Sequence, residues 1–258
     1  ANPMRTVAEH LAACLEIARP APPLDVVLLD AVGCVLTEDV VADLDLPALD
    51  LADLDGYAVV GADLSGAGGA TPVTLEVRDA VRAGDMRPTR LVPGTAMLVD
   101  SGAPLPLGAD AVVPWMDTDR GRIRVRVEAA VRAGENVRRR AADVAAGTTV
   151  LPQGARVSAR HVALLAGIGR SRVNVRPAPR VVIIPVGDEL VEPGQSRDPG
   201  DVFDANGHAM ASAVADAGGR AFRVAAVPDE PSVLAETVED QLVRADVLIT
   251  TGGLSVGQ

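Results

Sequence analysis

The chain has 258 residues, room for one large domain or two to three small ones; 48% are hydrophobic and only 2% aromatic, so its core is built from aliphatic side chains. All 24 basic residues are arginine, 35 residues are acidic, and the net charge of −11 excludes a broad electrostatic footprint for nucleic acid. The N-terminal run has no stretch of about 18 apolar residues, with Glu9 and Glu16 interrupting it. A soluble, cytoplasmic protein without a membrane partner is expected.

Residues 6–18 are expected to form a helix, with Thr6 and Glu9 as a capping box and Val7, Leu11, Cys14 and Ala18 on one face. Cys14 and Cys34 lack CxxC partners and nearby histidines, and are read as buried free thiols. Residues 24–41 read as strand or short helix turning at Gly33, and the Leu/Asp-rich stretch that follows lacks helical periodicity. Between about 57 and 150, short β-type runs (TPVTLEV, AMLVD, AVVPW, RIRVRVEA, TTVL) alternate with Gly/Pro/Asp punctuation, the pattern of a small all-β module. HVALLAGIG (161–169) is a short helical turn ending in glycine.

Beyond the PAP at 177–179 the texture changes. RVVIIPVG reads as a strand buried on both faces, GHAMASAVADAGG as a helix closed by Gly218 and Gly219, and AFRVAAV as a second strand. PSVLAETVEDQLVRA reads as a helix with Leu234, Val238 and Leu242 on one face, and DVLITTGG as a third, buried strand. Strand, helix, strand, helix, strand predicts a doubly wound α/β unit with ligand loops at the strand C-termini.

Four clusters could carry chemistry. Asp188 and Glu189 follow a strand directly, where doubly wound sheets bind ligands; an isolated acid pair equally caps the next element. TTGGLSVG (250–257) combines glycines, which admit an anion close to the backbone, with hydroxyls; it also reads as a tight turn. Arg138, Arg139 and Arg140 form the one basic run, followed by Asp143, and suit an oxyanion or a solvated surface. Asp50, Asp53 and Asp55 beside the sole tyrosine could bind a metal or polarised ligand, or make Asx turns. His10 and His161 read as helix-surface residues, and no histidine is given a catalytic role.

Taken in order, DLPALDLADLDGYAV, DSGAPLPLGADAVVP, GENVRRRAAD, PRVVIIPVGDEL, FDAN, VPD and ITTGGLSVG resemble the motifs of the MoeA family, the molybdopterin molybdenumtransferases, and of the C-terminal domain of gephyrin. The resemblance runs from about residue 4 to 258. It implies an elongated multi-domain homodimer of class α/β plus β. An N-terminal helix (1–23) would pack with a molybdopterin-binding α/β domain (177–258), with a linking domain in two parts (24–41 and 147–176) and a small β domain (42–146). The β domain would lie over the α/β crevice of the partner subunit. The implied activity belongs to molybdenum cofactor biosynthesis: insertion of molybdate into adenylylated molybdopterin with release of AMP, in the presence of Mg2+. Other proteins of the same synthesis are further implied partners.

Carried over motif by motif, the resemblance marks Asp55, Ser101, Asp143 and Glu189 as catalytic. It marks Asp204, Asn206, Asp229, Gly252, Gly253 and Ser255 as cofactor-binding, and leaves the metal ligand unassigned. Gly252, Gly253 and Ser255 would cradle the dithiolene or phosphate end, Glu189 and Asp229 would handle the metal and pyrophosphate cleavage, and Asp55, Ser101 and Asp143 would position molybdate or water. The arginine run and a divalent ion would offset the acidity of the chain near these anions.

The sequence departs from the family pattern in three places. LADLDGYA stands for NSAMDGYA, PVGDEL for STGDEL, and RRRAAD for RRRGED. Members also continue after SVG with an acid, lysines, a PGKP-type segment and a further small β domain, none of which follows here. The chain is therefore expected to be a truncated or partial one, with a non-catalytic paralogue that binds molybdopterin or a partner protein as the alternative reading.

Overall fold

The computed structural model describes residues 5–252. Two compact units divide the chain: one holds the sequence up to Asp39 and from Pro152 onward, the other Val40–Leu151. The first unit opens with α1 (Val7–Ile17), nucleated as its sequence demands. Thr6 Oγ1 accepts the Glu9 N–H at 3.2 Å while Glu9 Oε2 accepts the Thr6 N–H at 2.7 Å. No residue of α1 is buried, and Val7 is 88% exposed. Cys14 on this helix is exposed, contrary to the sequence reading, because an apolar stripe buries nothing unless another element covers it. Cys34 is buried as expected. The segment read as strand or short helix is a strand, a turn and a strand, β1 (Leu24–Val27) and β2 (Val35–Leu36).

The second unit runs through β3 (Val40–Val41), β4 (Leu51–Ala52), β5 (Gly56–Val59), β6 (Val73–Val81), β7 (Thr95–Val99), β8 (Ala111–Pro114), β9 (Arg124–Val127), β10 (Val137–Arg138) and β11 (Thr149–Leu151). Pairing of β3 with β11 closes it where it begins. Five strands make one sheet in the order β8-β5-β7-β6-β9, with the β6–β7 pair parallel. Strand alternation sends Tyr57, Val59, Ala111 and Val113 into one apolar cluster and Ala58 and Val112 into another. The second cluster is lined by Ala52, Ala58 and Ala103, whose small side chains let flanking loops lie close to the sheet.

The chain returns to the first unit with α2 (Ala159–Gly167) and β12 (Arg172–Arg176), which pairs antiparallel with β1 and β2. His161 is half-buried, and its Nδ1 accepts the Ser158 N–H at 3.3 Å at the start of α2. Next come β13 (Arg180–Pro185), β14 (Leu190–Val191), β15 (Val202–Phe203), α3 (Ala205–Asp216), β16 (Arg220–Arg223), α4 (Pro231–Leu242) and β17 (Val247–Thr251). Their parallel sheet has the order β16-β13-β17. β13 is central, with Val181–Ile184 buried, as a continuous apolar run predicts. β17, read as buried, is a half-exposed strand with Val247 46% accessible, because within the described sheet it has a neighbour on one side only. Leu234 and Val238 of α4 pack against Val182, Ile184 and Val227, whereas Leu242 of the same expected face is 59% exposed.

Candidate functional site

The strand order of the α/β unit creates a switch point. From β13 the chain crosses through α3 to β16 on one side, then through α4 to β17 on the other, so the connections diverge at the carboxyl end of β13. Open α/β sheets bind ligands at such a point. Here a cleft of about 330 Å³ is lined by Val186, Asp229, Glu230, Pro231, Leu234, Thr250 and Gly252. Backbone bonds hold its floor: Val186 N–H donates to Thr251 O at 2.8 Å and Gly187 N–H to Val227 O at 3.0 Å. Gly252 has φ +97°, and a Cβ there would stand 2.2 Å from the Val186 carbonyl oxygen. Only glycine permits this approach, which explains why the strand ends in TTG.

Asp188, Glu189 and Asp229 are exposed at this end of the sheet. Asp229 N–H donates to Asp188 Oδ1 at 3.3 Å, which brings the loops after β13 and β16 together. Asn206 is exposed in the first turn of α3, one residue before Gly207, where a Cβ would lie 2.9 Å from Pro185 Cγ. The start of α3 thus abuts the end of β13. Asp204 is placed differently from a ligand contact: it is 2% exposed, and both carboxylate oxygens are engaged by the fold. Oδ1 accepts the Gly207 N–H at 2.7 Å as the cap of α3, and Oδ2 accepts from Arg223 Nη1 at 3.0 Å. Arg223 also pairs with Glu192. Sequence reasoning missed Arg223 and Glu230, whereas Thr250 belongs to the TTGGLSVG cluster it singled out; the cap was legible, since Asp before a helical run is a strong N-cap signal. Gly253 and Ser255 lie outside the described residues.

In the β unit, three distant motifs converge on β4. Ala52 pairs with Val137, and its N–H and C=O bond Ala103 O (2.9 Å) and Gly102 N–H (2.8 Å). Next to it, Ser101 N–H donates to Asp55 Oδ1 at 2.7 Å and Ser101 Oγ to Asp53 O at 3.1 Å. Asp55 and Ser101 are both exposed. The residues after Asp55 explain the motif sterically. A Cβ at Gly56 would sit 2.0 Å from Val113 O, Tyr57 is 1% exposed with its hydroxyl donating to Gly121 O at 3.2 Å, and Ala58 is fully buried. Burial is the main cause that raises the Tyr57 hydroxyl above its ordinary pKa.

The arginine run is not a free cationic patch. Arg138 pairs with Asp143, Arg139 with Asp50 at 2.6 Å, and Arg140 with Asp45. Asp143 therefore faces an arginine, and its N–H donates to Leu46 O at 2.9 Å. The Arg140 N–H, with help from the Arg139 guanidinium, holds the Asp50 carboxyl below its ordinary value of 3.8. The Ala146 N–H does the same for Asp45, helped by the Arg140 side chain. These charges lace three chain segments together, so the expected offset of ligand charge by this run is largely internal. Among the described residues no group of three His, Cys, Asp or Glu is arranged to hold a metal, and no helix is long and apolar enough to cross a membrane.

Comparison with known proteins gives these two units a common context. Residues 5–169 match the family model of the MoeA N-terminal region (domain I and II), and 182–258 match a probable molybdopterin binding domain. The chain is 40% identical over 254 residues to molybdopterin molybdenumtransferase 2 of Mycobacterium tuberculosis, covering 98% of this chain and 63% of that protein. A molybdopterin molybdenumtransferase of a Nostoc species is 37% identical over 225 residues, covering 87% of this chain and 52% of that protein. A crystal structure of the molybdopterin biosynthesis MoeA protein of Pyrococcus horikoshii OT3 superimposes with a TM-score of 0.73 at 31% identity, covering 90% of this chain and 62% of the other. The chain thus spans under two thirds of the length of these relatives, and within that span it belongs to the MoeA family.

Proposed function

We propose that the chain acts in molybdenum cofactor biosynthesis as a molybdopterin molybdenumtransferase, inserting molybdate into adenylylated molybdopterin and releasing AMP. The observation that carries this reading is the cleft at the β13/β17 switch point, closed by a glycine whose backbone lies against the Val186 carbonyl. Gly252, with Gly253 and Ser255, would cradle the phosphate or dithiolene end of the pterin through backbone N–H groups. Asn206 would contribute from the exposed first turn of α3, and Asp204 would act by fixing that turn. Glu189 and Asp229 would face the phosphoanhydride. In the β unit, Asp55, Ser101 and Asp143 would position molybdate or water by hydrogen bonds.

Mg2+ commonly takes one or two carboxylates and completes its shell with water and substrate phosphate. The exposed acids Glu189 and Asp229 fit that donor set, and the ion would neutralise charge on the phosphates. We further infer a cytoplasmic homodimer in which the β unit of one protomer serves the crevice of its partner. Other proteins of cofactor synthesis would supply the adenylylated pterin.

The test is AMP release from adenylylated molybdopterin with molybdate, Mg2+ and the full chain. Release above background, abolished by Glu189→Ala with dimerisation intact, is expected. No AMP release while the pterin remains bound would overturn the transferase reading.

A further inference from the structure

A second pocket lies in the β unit, beside Asp55. Its volume is about 340 Å³, and its lining includes Tyr57, Arg82, Asp100, Trp115, Arg120 and Arg122. That volume falls within the ~300–1,000 Å³ typical of small-molecule sites. Trp115, the sole tryptophan of the chain, donates its backbone N–H to Asp55 O at 3.3 Å, and Asp100 precedes Ser101, which binds Asp55 from the other side. Two residues of the pocket wall, Asp100 and Trp115, are thus directly joined to the Asp55–Ser101 pair, which itself lies outside the lining.

Its charge is opposite to that of the chain. Arg138, Arg139 and Arg140 each meet an acid, but among the described residues none of the Arg82, Arg120 and Arg122 guanidiniums forms an ion pair. Three cations and one lining carboxylate, Asp100, face the same space in a molecule of net charge −11. Asp119 does not line the pocket and its Oδ1 accepts N–H groups from Gly121 at 3.1 Å and Arg126 at 2.9 Å, although its charge is felt at the Tyr57 hydroxyl. Arg120 is held at φ 59° and lies 5.8 Å over the Trp115 ring, so a cation and a flat aromatic surface adjoin at the rim. Unpaired arginines favour phosphate oxygens, and an indole offers a face on which a base stacks.

We propose that this pocket binds a nucleoside monophosphate, with the phosphate on Arg82 and Arg122 and the base against Trp115 and Arg120. The identification of that nucleotide with the adenylate of the substrate rests on the proposed transferase function; the binding itself does not. Held there, the adenylate would sit next to Asp55 and Ser101.

Because Trp115 is the only tryptophan, its emission reports on this pocket alone. Titrating the full chain with AMP should give a saturable change in fluorescence, with adenosine and inorganic phosphate each binding more weakly than AMP. Arg82→Gln and Arg122→Gln should each weaken AMP about tenfold, the loss expected for one charge-assisted hydrogen bond. No saturable change with AMP, or the same affinity in the double arginine variant, overturns the proposal. Adenosine binding as tightly as AMP removes the phosphate contact, and inorganic phosphate alone binding as tightly removes the base contact; either overturns it. Failure of AMP release by a chain that still titrates would remove the transferase reading alone. Release unaffected by the double arginine variant in a chain that does not titrate would remove the pocket alone.

Discussion

Ser101 holds Asp55 through its main chain: the Ser101 N–H reaches Asp55 Oδ1 at 2.7 Å, while its hydroxyl reaches Asp53 O instead. The side chain of Ser101 is thus not what positions the acid. Asp55→Asn keeps an acceptor for that N–H and removes the charge, so it should lower AMP release by about 100-fold, in the range of a lost acid–base or charge contribution, with unfolding in urea unchanged. Asp55→Ala should lose the same activity and about 1 kcal/mol of stability besides. Equal stability of the two variants would show that the hydrogen bond does not matter to the fold.

Two glycines admit no substitution for different reasons. At Gly56 a Cβ would meet Val113 O at 2.0 Å, between β5 and the edge strand β8 of the five-stranded sheet. Gly56→Ala should destabilise by about 3 kcal/mol, the upper end for overpacking. At Gly252 the same change adds a positive φ to a 2.2 Å clash with Val186 O, but at the rim of the cleft. Gly252→Ala should abolish AMP release with a comparable or smaller loss of stability, about 1–3 kcal/mol, so activity rather than stability separates the two sites. Urea denaturation monitored by circular dichroism, run beside the AMP assay, separates the two outcomes.

Asp204 supports α3 and neutralises Arg223, which is only 18% exposed. Leaving a buried charge wholly uncompensated commonly costs about 3–5 kcal/mol, but Arg223 keeps Glu192 when Asp204 is removed. Asp204→Ala should therefore cost less than that, through the lost cap and one lost ion pair, and Asp204→Asn, which retains the cap for Gly207, should cost less again. A urea-denaturation series that ranks Asn equal to Ala would assign the whole effect to charge and none to capping.

Acid should loosen the β unit at the segments that Asp45 and Asp50 hold together. Asp45 and Asp50 have carboxyls depressed below 3.8 by backbone N–H groups and by arginines, so the folded state favours their ionised forms. Their contribution is fully present above about pH 5 and is lost as the pH falls through their folded values. Calorimetry should show a flat melting temperature from about pH 7 to 5 and a decline below about pH 4. Asp50→Asn should melt lower at neutral pH and decline less steeply in acid; parallel profiles would discount this pair.

Periodicity and punctuation carried most of the fold into view, because β13 and α4 bury side chains at regular spacings that the chain displays locally. What escaped is non-local. The partners of Arg139 and Arg140 stand 89 and 95 residues earlier, at Asp50 and Asp45, so a run of three arginines looked free. Two-residue ladders such as β4 with β10 and β14 with β15 have no period to detect. At the site, Asp55 was visible as one of a cluster of acids beside the sole tyrosine, whereas Ser101 was legible only through motif resemblance. The reason for Gly56 and the burial of Asp204 depend on atoms that only the folded chain brings near. The cationic pocket drew no notice because Arg82 stands far in sequence from Arg120 and Arg122, which themselves sit in an alternating run that reads as an ordinary strand.

The insertion of one unit within the other predicts an order of assembly. Asp39 and Gln153 meet across the insertion, Gln153 N–H donating to Asp39 Oδ1 at 2.7 Å, and β1 finds its partner only at residues 172–175. During translation, at ~5–20 residues per second, the first strands wait on the order of ten seconds while the intervening unit emerges. That unit, closed on itself by β3 and β11, can collapse first and bring its two ends side by side. A slip in its closure would leave the nascent N-terminal strands as open edges, so the ribosome-bound intermediate, more than the finished molecule, is where this architecture is exposed to aggregation.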